Sequence, residues 1–290
     1  MAAPIVGGLG LVGVVQTDAA TQQAGLILYR SPASPTAEPN VVHLWTTDGT
    51  GRNAHEVISL KPTDKRDPLI GAYLVPGGVI LATTNAKDGN MTDIGFVKRG
   101  ATRIQRLFGV RGLYGFRPSP DGQEIAYSRS LPNAGKPLFV IARRDGRVIQ
   151  TLSHMAVAIF NWSRDGQRLF SYCPTVRRRE LCSYSATTGA STATSLDLRN
   201  AASTPSVSPV GTKVAFYEKL GPAGERIYTV KGAFVRNLVG HAAAFAVWSP
   251  DETKLLLPGT GDPLVFSFKT KRLNSFAHNG PANLLALDWR

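Results

Sequence analysis

The sequence predicts an all-β fold: a single β-propeller of six four-stranded blades, its ring closed by strands from both chain ends. Three observations carry this. A hairpin with the form of Phe160-Asn-Trp-Ser-Arg-Asp-Gly-Gln-Arg-Leu-Phe-Ser-Tyr172 recurs along the chain. Its aligned serines, Ser119, Ser163, Ser208 and Ser249, are separated by 44, 45 and 41 residues, which is the period of a four-stranded blade. The last apolar stretch, Leu284-Leu-Ala-Leu-Asp-Trp-Arg290, reads as a first strand with nothing after it, and Trp289 lies 41 residues beyond Trp248. A blade cannot bury both faces alone, so blades must stack around a ring.

The hairpin explains itself chemically. Trp162 ends an apolar strand, Ser163-Arg164-Asp165-Gly166 forms a tight turn, and Arg168 to Tyr172 is a strand with aromatics two residues apart. Asp bonds its own backbone in such a turn, and Gly takes a positive φ without a Cβ clash.

Blade one begins at its second strand, Gly25 to Ser31. After the Pro-rich loop Ser31 to Pro39 it continues through Asn40 to Thr46, the turn Asp48-Gly49, and Ala54 to Leu60. The C-terminal strand supplies the missing first strand, which removes an exposed edge; Val12 to Gln16 is the alternative source. Blade two is Leu69 to Val75, turn Pro76-Gly77-Gly78, Val79 to Thr84, Asp93 to Val97 and Thr102 to Leu107. Blade three runs from Gly112 through Tyr127, then Pro137 to Ala142, turn Arg143 to Arg147, and Val148 to Leu152. Blade four adds Leu181 to Ser185 and Ser191 to Leu196 to the repeating hairpin. Blade five is Pro205 to Tyr217, Arg226 to Val230 and Ala233 to Leu238. Blade six is Ala244 to Leu257, Pro263 to Phe268, turn Lys269 to Arg272, and Leu273 to Phe276.

Composition agrees with one folded domain over residues 1–290: 43% hydrophobic, 18% charged, 29 Gly and 19 Pro. Residues 1–24 are read as an extra strand or the remnant of an export signal. The apolar opening has no Lys or Arg before it and is too short and Gly-rich for a membrane span. Cys173 and Cys182 flank one strand-to-strand connection. They are either a disulfide or two small buried apolar residues. A disulfide argues for an oxidising compartment, and so for export, periplasmic or secreted, over the cytoplasm.

The formal charge is +13, with a pI near 10.0. Between Lys98 and Arg179, sixteen basic residues stand against four acidic ones. In a four-stranded blade the first-to-second and third-to-fourth turns emerge on one rim, and the second-to-third loops on the other. This places Lys98, Arg99, Arg143, Arg144, Arg147, Arg164, Lys231, Lys269, Lys271 and Arg272 in or beside turns of one rim, and Arg177, Arg178 and Arg179 on the opposite one. Such a rim suits an anionic partner: an RNA-containing assembly, an acidic protein or a phosphorylated surface. Ordinary solubilising charge is the competing reading.

The strand ending in Ser-Pro-Asp-Gly or Ser-Arg-Asp-Gly, followed by one such as Glu124-Ile-Ala-Tyr-Ser128, resembles the TolB-like propeller repeat across blades three to six. It departs at Val210, where Asp is expected, and at Glu252, where Gly is expected. Leu238-Val-Gly-His241 through Trp248-Ser-Pro-Asp251, and more weakly Leu152 to Asp165, resemble the WD-repeat passage. The resemblance covers about residues 25–290 as architecture, with specific motifs from Phe116 to Leu257. It implies a platform for a protein partner or multi-subunit assembly and brings no reaction with it.

No nucleophile elbow, zinc-protease helix, P-loop or dinucleotide fingerprint is present, and no cofactor, catalytic residue or metal ligand is nominated. The repeated serines and aspartates read as turn residues. The histidines His43, His55, His154, His241 and His278 fall in different repeats; a lyase- or lactonase-like propeller enzyme with a metal in its central channel is the alternative they leave.

Overall fold

The computed structural model describes residues 26–31, 41–49, 51, 53–61, 69–85, 88, 90–130, 137–152, 159–173, 179–218, 224–239, 246–258, 263–276 and 285–290. They form six four-stranded antiparallel sheets, the six blades of a propeller. Blade one combines β1 (Ile27–Ser31), β2 (Val42–Thr47) and β3 (His55–Leu60) with the C-terminal strand β24 (Leu285–Trp289), in the order β24-β1-β2-β3. Blade two is β4 (Leu69–Val75), β5 (Gly78–Thr84), β6 (Met91–Lys98) and β7 (Gln105–Arg111). Blade three is β8 (Leu113–Pro118), β9 (Glu124–Arg129), β10 (Leu138–Arg143) and β11 (Val148–Leu152). Blade four is β12 (Ile159–Trp162), β13 (Arg168–Tyr172), β14 (Glu180–Ser185) and β15 (Ser191–Asp197). Blade five is β16 (Ser206–Val207), β17 (Lys213–Tyr217), β18 (Gly224–Thr229) and β19 (Phe234–Val239). Blade six is β20 (Val247–Trp248), β21 (Lys254–Leu257), β22 (Leu264–Ser267) and β23 (Arg272–Ser275).

Ring closure follows the expectation from the unpaired last strand. Ile27 lies opposite Trp289, and Arg290 N donates to Leu26 O at 2.8 Å. Asp288, buried, extends the closure to the next blade by accepting the Leu74 N–H at 3.0 Å. The alternative strand Val12 to Gln16 lies outside the described residues.

Alternation along each strand sends side chains to both faces of a blade, so the core is six interfaces. Each hydrophobic cluster joins two consecutive blades. Between blades three and four, Ala126, Phe139, Ile141 and Leu152 meet Trp162, Leu169, Cys173, Cys182 and Tyr184. Tryptophans ending first strands also bond backwards to the preceding blade: Trp162 Nε1 donates to Arg117 O at 2.9 Å, and Trp248 Nε1 to Ser206 O at 3.0 Å.

Blade two departs from the sequence reading. Its fourth strand is Gln105–Arg111 rather than Thr102 to Leu107, and its third extends over Met91–Lys98. Past Leu107 the strand runs on through Gly109, where a Cβ would stand 2.7 Å from Met91 Cε and from Arg106 Nη2, to buried Val110. The outermost strands of blades one, two, three and five each carry a register shift that leaves one residue unopposed. These bulges blunt the free edges.

Candidate functional site

The first-to-second turns share one construction. Ser119 Oγ accepts the Glu124 N–H at 2.9 Å and donates to Asp121 at 2.6 Å, while Asp121 accepts the Gln123 N–H at 3.0 Å. Ser163 with Asp165, and Ser249 with Asp251, repeat the pattern. The serines are buried and committed to the turn. The Ser163 hydroxyl and the Gln167 N–H hold the Asp165 carboxyl below its ordinary range.

The two departures from the repeat are one device. Blade five has Val210 where the turn Asp belongs, and Glu252 of blade six reaches across to take over. Glu252 accepts the Val210 N–H at 2.7 Å, the Thr212 hydroxyl at 2.7 Å and Lys213 Nζ at 3.3 Å. It does so from φ +57°, the left-handed conformation that Gly122, Gly166 and Gly211 supply elsewhere. Burial raises the Glu252 pKa, but the hydrogen bonds from the Ser208, Thr212 and Val210 groups and the Lys213 charge outweigh it, for a net lowering.

The third-to-fourth turns of blades three and four lean on the outer strand of the preceding blade. A Cβ on Gly146 would stand 2.7 Å from Phe108 of blade two, and one on Gly189 would stand 2.8 Å from Leu152 of blade three. Further inward, Arg164 N donates to Pro209 O at 2.6 Å, and Arg290 Nη1 to Pro120 O at 2.9 Å.

Lys98, Arg99, Arg143, Arg147, Arg164, Lys231, Lys269, Lys271 and Arg272 are exposed in or beside turns of this rim. Among the described residues none of them forms an ion pair. Arg144 lies in the same turn but differs from them: it is half-buried, its guanidinium 3.9 Å from the Phe96 ring centroid, at the interface between blades two and three. The rim is not purely basic. Asp121, Asp145, Asp165 and Asp251 are exposed in the same turns, each accepting a backbone N–H.

The sequence reading missed Arg103, exposed in the outer turn of blade two, and the exposed aliphatic pair Val148 and Ile149, whose signal was a broken alternation at the start of a strand. On the opposite rim, Arg177 and Arg178 lie outside the described residues; Arg179 is exposed, 5.9 Å from the Tyr172 ring centroid.

Cys173 and Cys182 lie side by side where β13 passes to β14. Their Cα atoms are 4.8 Å apart, at disulfide-bonding distance, and both side chains are buried in the interface of blades three and four. His43 Nδ1 lies 2.6 Å from Glu56 Oε1 and 3.0 Å from Ser59 Oγ. Both partners meet the same ring nitrogen, so this is no Ser-His-acid relay, which needs both nitrogens. His55 is exposed at the start of β3, and His154, His241 and His278 lie outside the described residues. Among the described residues no three His, Cys, Asp or Glu side chains form a metal-holding group, and no helix is long and apolar enough to cross a membrane.

No protein-family model and no curated protein matches the chain. Solved structures do. TolB from Acinetobacter baumannii is 17% identical, with a TM-score of 0.66 over 92% of this chain and 67% of that one. A protein designated TolB from Agrobacterium tumefaciens is 14% identical, with a TM-score of 0.57 over 81% of this chain and 92% of that one. An oligogalacturonate lyase in complex with manganese is 14% identical, with a TM-score of 0.50 over 84% of this chain and 73% of that one. At such identities the likeness is one of fold, and in fold this chain is a six-bladed, TolB-like β-propeller.

Proposed function

We propose that this chain is a non-catalytic interaction propeller that binds an anionic partner through its turn rim. The observation that carries the reading is that blades two to six each place exposed cations, none in an ion pair among the described residues, on the same side of the ring. Cations carried on turns that are already folded need no backbone ordering to meet an anionic surface, and their fields add. The turn aspartates lower the total without reversing its sign.

The test is salt-dependent elution from immobilised heparin, comparing the wild type with a variant carrying Arg99→Glu, Arg143→Glu and Arg147→Glu. Arg144 is kept, because its stacking on Phe96 would confound folding with binding. The variant should elute at markedly lower salt with an unchanged melting transition. Elution at the wild-type salt concentration would sink the basic-rim reading.

A second reading, a metal-dependent propeller enzyme, is favoured by the shared fold of the manganese-bound oligogalacturonate lyase. His43 and His55 sit on the third and fourth strands of blade one, away from the first strands that surround the axis. Stoichiometric manganese in the purified protein, lost on mutating several histidines together, would move the assignment to this reading.

A further inference from the structure

The rim's chemistry at blade three is more specific than charge. Val148 and Ile149 are 48% and 47% exposed and follow directly on Arg147. Ala142 pairs with Val148 and Ile141 with Gln150, so Ile149 is the unopposed residue of the bulge and projects from the ladder. Two consecutive large aliphatic side chains are thereby held in solvent, with the exposed Arg143 and Arg147 beside them. Blade five repeats the arrangement at the equivalent positions, with Phe234 57% and Val235 41% exposed just after Lys231. Between the two, blade four carries the polar residues Ser191 and Thr192. Single exposed apolar residues are ordinary; adjacent pairs beside cations on a bulged edge are a surface feature.

Resting on the basic-rim reading, we infer that the partner is a protein segment in which carboxylates alternate with apolar side chains, docked on the outer flank of blade three against Arg143, Arg147, Val148 and Ile149. Charge complementarity selects the carboxylates, and burial of the aliphatic pair selects the apolar side chains. RNA fits less well, because sequence-tolerant binding of single strands uses aromatic platforms and this corner offers aliphatic ones. A phosphorylated bilayer also fits less well. A flat surface meets the tip of the Arg143–Arg147 turn first, whereas Val148 and Ile149 begin the strand below that tip. The bulge interrupts the ladder's regular edge, so docking proceeds through side chains rather than by strand addition.

The experiment compares four probes on the full chain: a short synthetic peptide of Glu, Asp and Leu; a matched peptide with Ser in place of Leu; single-stranded poly-uridine RNA; and phosphatidylserine vesicles. The Leu peptide should bind about tenfold more tightly than the Ser peptide. Val148→Ser with Ile149→Ser should remove that advantage, while Arg143→Glu with Arg147→Glu should weaken both peptides. Ile149→Asn alone, at the unopposed position, gives a second variant that does not disturb the ladder. Equal binding of the two peptides, or RNA or vesicle binding that exceeds the Leu peptide and ignores the serine substitutions, overturns the inference while leaving the basic rim standing. Binding of every probe that is indifferent to charge reversal overturns both.

Discussion

The interface between blades three and four and that between blades six and one use the same kind of tryptophan with opposite results. At the first, Trp162 sits in a large apolar cluster and its indole N–H is satisfied by Arg117 O. At the second, the described cluster is only Ile27, Val247, Leu256, Phe276 and Trp289. There Trp289 Nε1, Tyr29 Oη and Trp45 Nε1 are all buried without a hydrogen-bond partner. The pairing of Ile27 with Trp289 and with Thr47, and of Tyr29 with Trp45, puts all three on the face of blade one that meets blade six. A buried unpartnered polar group costs about 1–3 kcal/mol. Among the described residues the closing interface thus has the smallest apolar cluster; the closing strand itself is held in place by its backbone pairing with β1 and by the reach of Asp288 and Arg290 into blades two and three.

The most severe way to break this comparison is to delete residues 284–290. Without β24, blade one loses its inner strand and the ring its closure, so the cooperative melting transition should disappear or fall sharply. A transition unchanged in temperature and steepness would show that the closure does not matter. At the interface of blades three and four, Cys173→Ser with Cys182→Ser should lower stability by about 2–3 kcal/mol in oxidised protein, through the greater freedom of the unfolded chain. Intact mass with and without reduction and alkylation reports the bond directly; two freely alkylated thiols in protein from its native compartment would contradict it and remove the argument for export.

The tryptophans give a sharper comparison of smaller size. Trp162→Phe loses ring volume and leaves Arg117 O without its donor, whereas Trp289→Phe loses similar volume but also removes an orphan. In urea denaturation the first substitution should cost about 1–2 kcal/mol more than the second. Equal losses would mean that the two interfaces do not differ in the way described.

The smallest expected effect concerns the strut between blades five and six. Glu252→Gly should destabilise by about 1 kcal/mol, because the Val210 N–H and Thr212 lose their acceptor even as the strained φ is relieved. Adding Val210→Asp should recover most of the loss by restoring the ordinary turn, a non-additivity measured by a double-mutant cycle. Additive losses would show the two positions to be independent. Because folding lowers the Glu252 pKa, its contribution is present above the ordinary carboxylate range near pH 4 and is lost as pH falls through the folded value. The wild type should therefore lose stability on acidification more steeply than the variant bearing both substitutions.

Much of the architecture was legible because it repeats. A serine that caps a turn, an Asp that accepts the next N–H and a Gly at positive φ are local devices, and their recurrence at blade period implies a ring that no single hairpin does. The same local logic placed the rim cations, since a residue in a turn between antiparallel strands has only one end of the blade to occupy. It ended the fourth strand of blade two too early, at Leu107 instead of Arg111, and it could not show that Arg144 has a partner, Phe96, in another blade.

The sequence by itself determined the repeat, the blade count and which residues stand in turns, because turn chemistry and side-chain alternation are local and their recurrence at blade period counts the blades; it left two candidates for the closing strand. Only the tertiary structure decided which departures from the repeat compensate each other, which arginines pack instead of facing solvent, and which interface is left with unsatisfied polar atoms. Val210 and Glu252 looked like two independent losses of a motif; across the interface the Glu252 carboxylate of blade six serves the blade-five turn that lacks its Asp, while Asp251 serves its own. The physical reason is that these outcomes depend on contacts between residues about a blade apart in sequence, set by how neighbouring blades pack rather than by the conformational preferences of either segment.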